Sequence, residues 1–393
     1  MTVETRARPQ GRSFSLNDPG VRAAAYQILV AALVLFAGWY LISNTLENLA
    51  RQSIGTGFGF LEREAGFEVG ESLIDYSAQD SYARAFLVGI LNTLKVAVIG
   101  IVLATVLGTL LGVARLSSNW LVAKLAGGYV EVVRNVPLLL QLFFWYAALT
   151  EGLPGPRQAL QPLPGVFLSN RGLKIPGAAE DPAWAALGIA LLAGIAGAVA
   201  VHVWANRRHT ATGVRPPAGA ISAGLVLGLP LLTLLAFGGA ALDVPELKGF
   251  NFTGGLTLTP EFAALLFGLV IYTAGFIAEI VRSGILAVPH GQTEAAAALG
   301  LSRGRILRLV VLPQALRVII PPTTSQYLNL TKNSSLAIAI GYSDFVSVAN
   351  TTINQTGQAI EGVAAIMAVY LTISLGLSLA MNWYNKRIAL VTR

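Results

Sequence analysis

Polar side chains with chemical capacity stand inside long apolar runs of this 393-residue chain. A group of that kind in such a run is costly, and points to a partner or to an aqueous cavity. Glu279 follows Tyr272 by seven residues and precedes Arg282 by three, so on a helix the three share roughly one face. A carboxylate there attracts the ammonium or a cationic side chain of a zwitterionic solute; the competing reading is a Glu279–Arg282 pair that stabilises the inner end of the helix. Lys95 lies about nine residues into its run, where it lines a cavity or snorkels partway to the surface. Asn92 and Gln141 carry donors and acceptors suited to a solute's backbone groups, or equally to hydrogen bonds between helices. Arg134 and Asn135 read as structure on the cytoplasmic side rather than as solute ligands.

This is binding chemistry, not covalent chemistry. No Ser/His/Asp set, paired carboxylates or metal cluster stands out. The absence of cysteine excludes disulfides, thiolate metal sites and thiol nucleophiles, and His202, His209 and His290 are isolated, the first two expected to flank a helix end. No Gly-x4-Gly-Lys-Ser/Thr phosphate loop occurs; Gly108-x3-Gly112 and Gly224-x3-Gly228 read as sites of close helix packing.

The elements that position these residues are membrane spans. With 54% hydrophobic and 12% charged residues and a mean hydropathy of +0.64, the chain is too apolar for a soluble globular protein. A pI near 9.7 raises the question of nucleic acid, but Lys and Arg recur in short clusters between apolar runs, which is a topology signal. Runs near the required length occur at about 24–43, 86–113, 183–204, 217–238, 260–282 and 361–383. Residues 119–150 predict a surface helix followed by a span from Pro137 to Thr150. Residues 306–342, with Pro313, Pro321 and Pro322, predict a broken or tilted span. The expectation is about eight crossings. With the N-terminus inside, Arg6/Arg8/Arg12/Arg22, Arg115/Lys124, Arg207/Arg208/Arg215, Arg303/Arg305/Arg308 and Lys386/Arg387/Arg393 all fall on the cytoplasmic side. Outer loops then run over 43–84, 151–182, 239–260 and about 344–362. No small-residue cleavage site follows the first run, so a retained span is expected rather than a signal peptide.

Between two of these runs lies Glu294-Ala295-Ala296-Ala297-Ala298-Leu299-Gly300, then nine residues, then Val310-Val311-Leu312-Pro313. Pro289 stops the incoming helix, Glu294 is expected in the first turn of a new one, Gly300 ends it, and four alanines leave a thin knob. The pattern resembles the Glu-Ala-Ala loop of ATP-binding-cassette importer permeases, with Val310 where Ile is usual. That resemblance implies a coupling helix at about 289–304 that seats in a groove of a cytoplasmic ATPase through Glu294, Ala295, Ala296, Gly300, Leu301, Ser302 and Arg303.

Four further blocks are similar to polar amino-acid importer permeases of the histidine/glutamate/glutamine/arginine/opine group. They are Gly89-Ile-Leu-Asn-Thr-Leu-Lys95, Glu131-Val-Val-Arg-Asn-Val-Pro137-Leu-Leu-Leu-Gln141, Ala278-Glu-Ile-Val-Arg-Ser-Gly-Ile285 and Lys332-Asn-Ser-Ser-Leu336. The resemblance implies an all-α type I importer core of five spans, in 85–150 and 260–393. Residues 1–84 add a cytoplasmic N-terminus, a span and a periplasmic loop; 151–259 is an insertion with two spans. This enlarged layout resembles the long permease subunit of general L-amino-acid uptake systems. Its implied setting is the bacterial inner membrane with both termini cytoplasmic. Its implied partners are a second, homologous permease, two ATPase subunits that hold ATP and Mg, and a periplasmic amino-acid-binding protein, with no cofactor on this chain and no nucleic acid. The alternatives are an importer of the same architecture for another small polar solute, or a non-transporting polytopic protein, which leaves the coupling-helix spacing unexplained.

Overall fold

A bilayer offers backbone groups no partner outside the segment itself, so apolar runs become helices. The computed structural model describes residues 19–51, 55–214 and 216–388. The described helices are α1 (Pro19–Arg51), α2 (Tyr82–Ala114), α3 (Trp120–Asn135), α4 (Leu138–Thr150), α5 (Pro182–Thr212), α6 (Ala218–Phe237), α7 (Pro260–Leu286), α8 (His290–Ala298), α9 (Arg303–Ile306), α10 (Leu312–Asn333), α11 (Phe345–Thr356) and α12 (Ala359–Ile388). Seven segments among the described residues are long and apolar enough to cross a membrane, and α3 with α4, bent by 105°, makes an eighth if the pair counts as one span. The expected number of crossings is met. Arg6, Arg8, Arg12, Arg215 and Arg393, part of the charge argument, lie outside the described residues.

The centre of the bundle is α7, flanked by α2, α3, α4 and α10. Helices inside lipid gain little from the hydrophobic effect and associate through close packing at small residues. Gly108 and Gly112 of α2 supply it: a Cβ on Gly108 would lie 2.7 Å from Cβ of Ile277, and one on Gly112 2.7 Å from the Ala278 carbonyl oxygen. Ile277 of α7 is buried in this seam, and Leu265 and Leu269 are buried in the same core cluster. The other glycine pair is a correction. Nothing lies within 4 Å of a Cβ built on Gly188, Gly224 or Gly228, and the insertion's α5–α6 hairpin closes instead where Gly194 and Gly197 meet Leu225. Within it, His202 sits inside α5, not at its end, and its Nδ1 lies 3.0 Å from the Ser222 hydroxyl.

The bend between α3 and α4 is local chemistry. A residue before proline is driven to extended backbone, and Val136 (φ −94°, ψ 125°) obeys, ending α3 at Asn135, two residues before Pro137. The amide of Gln141 donates to the carbonyls of Val133 and Val136, both at 3.0 Å, tying α4 back across the corner.

Residues 303–340 form one continuous segment, which rules out the broken form of the expected broken or tilted span. Leu307–Val311 form a π turn ahead of Pro313, a widening that accommodates the proline ring where it would clash with the carbonyl four residues back. α10 then runs through Pro321 and Pro322, where the hydroxyls of Thr323 and Thr324 bond the carbonyls of Ile319 and Ile320. It tightens into a 3-10 turn over Ser334–Ile340.

At the end of the bundle remote from α8, two expected loops are structured. Segment 344–362 contains α11, whose first residue packs on α2 so closely that a Cβ on Gly89 would sit 2.9 Å from the Phe345 Cα. The insertion's flanks form β1 (Leu160–Leu163), β2 (Val166–Ser169), β3 (Gly172–Ile175), β4 (Gly177–Ala178), β5 (Leu242–Asp243), β6 (Glu246–Lys248), β7 (Asn251–Thr253) and β8 (Leu256–Leu258). They assemble antiparallel as β1-β2-β3-β8, β4-β5 and β6-β7, with Leu173 opposite Leu258. The fold is all-α in its membrane part, with this small β addition.

Candidate functional site

Helix α8 begins at His290 because Pro289 ends the previous turn with extended backbone (ψ 134°). Glu294 is thus its fifth residue, in the second turn rather than the first, and it faces His290 Nδ1 at 3.0 Å instead of the helix N-terminus. Its side chain is 71% exposed. The C-terminal end is built as expected. Gly300 is left-handed (φ +75°), its N–H reaches the Ala297 carbonyl at 2.9 Å, and the Leu301 N–H reaches the Ala296 carbonyl at 3.3 Å. That two-bond closure satisfies carbonyls a helix end leaves free. Ala295, Ala297 and Ala298 are exposed while Ala296 is buried, and Leu299 is 82% exposed. Ser302, in extended conformation, precedes α9, and Arg303 opens it, exposed. The result is a short, rigid, exposed knob joined by the π turn to α10, and through α10 to α7, where a Cβ on Gly284 would sit 2.3 Å from Ile319 Cγ1.

A second site lies between α3 and α7. Glu279 is seven residues from the end of α7, roughly 10 Å along the axis. Its two oxygens are divided between guanidiniums: Arg115 Nη1 donates to Oε2, and Arg282 Nη2 donates to Oε1 at 2.6 Å. Beside this triad is a polar cavity of about 410 Å³ lined by Arg115, Glu131, Arg134, Asn135, Phe276 and Glu279. The Arg134 guanidinium stands over the Phe276 ring at 5.0 Å, and Asn135 donates its amide to the Glu131 carbonyl at 2.7 Å. An apolar groove of about 460 Å³ adjoins the bend, bordered by Val136, Leu140, Gln141 and Phe144.

The residues expected to line one pathway are dispersed. Tyr272 packs on Phe276, ring centres 5.0 Å apart, and does not line the Glu279 cavity. Lys95 lies twenty residues before Arg115 on α2, roughly 30 Å away along the axis. There its ammonium pairs with Glu71 at 2.5 Å over the Phe262 ring. Asn92 is fully buried and donates to the carbonyls of Glu71 (2.7 Å) and Ser343 (2.9 Å). These two residues clamp the 55–81 segment to the bundle, and Gln141 clamps the bend. Arg134 and Asn135, read from sequence as surface structure, are the ones that line the cavity. Arg115 was visible only as a topology charge, since its partner Glu279 is 164 residues away.

Known proteins match this arrangement along its length. The family described as "Binding-protein-dependent transport system inner membrane component" matches residues 222–390. The "General L-amino acid transport system permease protein AapQ" of Rhizobium johnstonii is 52% identical over 96% of this chain and 95% of its own length. The "Putative amino-acid ABC transporter permease protein YhdX" of Escherichia coli is 53% identical over 97% and 98%. The "Glutamate/glutamine/aspartate/asparagine transport system permease protein BztB" of Rhodobacter capsulatus is 43% identical over 97% of both chains. With multiple apolar spans, an exposed helical knob and similarity end to end, this chain belongs to the amino-acid ABC transporter permease family.

Proposed function

We propose that this chain is one membrane half of an importer that moves L-amino acids handed over by a soluble binding protein, driven by ATP hydrolysed on separate chains. The observation that carries the reading is end-to-end identity of 52% and 53% with permeases named for amino-acid transport. The capped, exposed knob at α8 supports it. In this reading two ATPase subunits hold ATP and Mg, and a second, homologous permease completes the pathway. The α8 end and both termini face the cytoplasm of a bacterial inner-membrane protein, and the β-strand end faces the binding protein. Residues 85–150 and 260–393 form the core, 1–84 and 151–259 the additions.

Coupling follows from rigidity. Glu294, Ala295, Ala296, Gly300, Leu301, Ser302 and Arg303 belong to a unit whose shape is fixed by the Gly300 closure. Displacing it pulls the π turn and α10, and α10 bears on α7 at Gly284 without slack. Motion at the ATPase thereby reaches the helix that lines the Glu279 cavity. Reconstitution in proteoliposomes with the second permease, the ATPase and the binding protein tests the reading. Labelled L-amino acids should accumulate only with ATP and all components present. Accumulation of a different polar solute, or none, would reject it.

A further inference from the structure

Glu279 was the residue expected to attract a cationic group, but both its oxygens are held by Arg115 and Arg282. It has no capacity left for a solute ammonium. Two other charged groups in the same cavity are in the opposite condition. Arg134 has the Phe276 ring against its flat face but no carboxylate within ion-pair distance among the described residues. Glu131 likewise has no cationic partner there. They lie three apart on α3, which brings them to one face with Cβ atoms roughly 5–6 Å apart, yet they do not pair. An acid and a base without ion-pair partners, both exposed on α3, thus stand free beside a 410 Å³ space. The charges of the lining balance, Arg115 and Arg134 against Glu131 and Glu279, as suits a solute that carries one charge of each sign.

We propose that this cavity is a zwitterion subsite of the translocation path, in which the Arg134 guanidinium takes the carboxylate of an α-amino acid and the Glu131 carboxylate takes its ammonium. The planar guanidinium matches a carboxylate in two-point contact, and Phe276 restrains its orientation. Main-chain charges common to all α-amino acids are read here, so the subsite is indifferent to side-chain type. Glu279 is a positioning residue that holds Arg115 in the cavity wall.

The subsite rests on the proposed amino-acid import, and the test separates the two. The detergent-purified complex of both permeases and the ATPase, without binding protein, is assayed for equilibrium binding of tritiated L-glutamine. Unlabelled L-leucine, L-glutaminamide and N-acetyl-L-glutamine serve as competitors. Wild type should bind glutamine and be displaced by leucine, poorly by the amide or the N-acetyl compound. Losing one charged hydrogen-bonding group should weaken binding about ten- to a hundredfold in Arg134→Ala and Glu131→Gln, with Arg134→Lys in between. Arg134→Ala should stop discriminating against the amide, and Glu131→Gln against the N-acetyl compound. Co-purification of the partner subunits with each variant monitors assembly. Variants that assemble and keep wild-type affinity and competitor order overturn the subsite alone. Loss of the partner permease from both Arg134→Lys and Arg134→Ala also overturns it, because the two charges then serve a subunit interface. A wild-type complex that neither binds nor transports any amino acid overturns the import reading with it.

Discussion

Replacing Gly300 with alanine isolates the backbone contribution to coupling. A Cβ at this position meets nothing within 4 Å, so the substitution is neutral in space and acts only through φ +75°. A left-handed conformation costs an ordinary L-residue roughly 1–2 kcal/mol. If the chain relaxes instead, the bonds from Gly300 to Ala297 and from Leu301 to Ala296 are lost, a similar sum. The balance between the closed and the relaxed helix end therefore shifts by a factor of about 5 to 30 towards the relaxed one, which leaves the two comparably populated. The strain falls on an exposed helix end far from the α2–α7 seam, so membrane insertion and pairing with the second permease should be normal. Binding-protein-stimulated ATP hydrolysis in proteoliposomes should fall to about half for Gly300→Ala. It should drop more for Gly300→Val, whose branched Cβ tolerates left-handed backbone least, and less for Gly300→Asn, which visits it more readily. Equal stimulated rates in all three variants and wild type would refute the role given to this closure. So would a ranking in which Asn is worst.

Other perturbations follow from the same geometry. The Glu294–His290 contact is exposed and worth no more than a few tenths of a kcal/mol. Glu294→Arg should therefore leave thermal stability of the purified chain unchanged while uptake in vesicles falls; normal uptake would count against docking through α8. Glu279→Gln removes the anion shared by Arg115 and Arg282, and for this partly exposed cluster should destabilise the chain by about 1–3 kcal/mol. Uptake should fall for cationic and neutral amino acids alike, and selective loss of cationic ones would contradict the triad. Asp344 is fully buried at the start of α11, accepting from the Ser347 N–H at 2.9 Å. Burial pushes its carboxyl up to about 6, above the usual unfolded value near 4. Between these values the native carboxyl holds its proton more than the unfolded one does, so the contribution of Asp344 to stability falls as pH rises from about 4 to 6. Asp344→Asn, which keeps a capping oxygen, should flatten the difference in Tm between pH 4.5 and pH 7.5 in detergent; an unchanged difference excludes Asp344 as its source.

Much of this was legible because it depends on neighbours in sequence. Pro289 and Gly300 fix where α8 stops and starts within a few residues, and Val136-Pro137 sets the bend. Glu294 falls in the second turn, not the first, because the helix begins directly after Pro289, one turn earlier than the Glu-Ala-Ala run suggests. What stayed hidden depends on long-range closure. Strands of two to four residues, such as β3 against β8, pair across the α5–α6 hairpin and carry no periodic signal. Helix α11 is too short to read as a span and buries itself on α2. The partners of Lys95 and Glu279, and hence their roles, are fixed only when Glu71 and Arg115 arrive from distant segments.

The central claim, that the α8 knob seats on the ATPase, is tested most directly by proximity. Leu299, 82% exposed at its tip, is replaced with p-benzoylphenylalanine, and in a parallel variant Phe250, 74% exposed at the β-strand end. Both are irradiated in the reconstituted complex. A cross-link is expected from position 299 to the ATPase subunit, and none to it from position 250. An ATPase cross-link from 250, with 299 labelling only lipid or the binding protein, would contradict it.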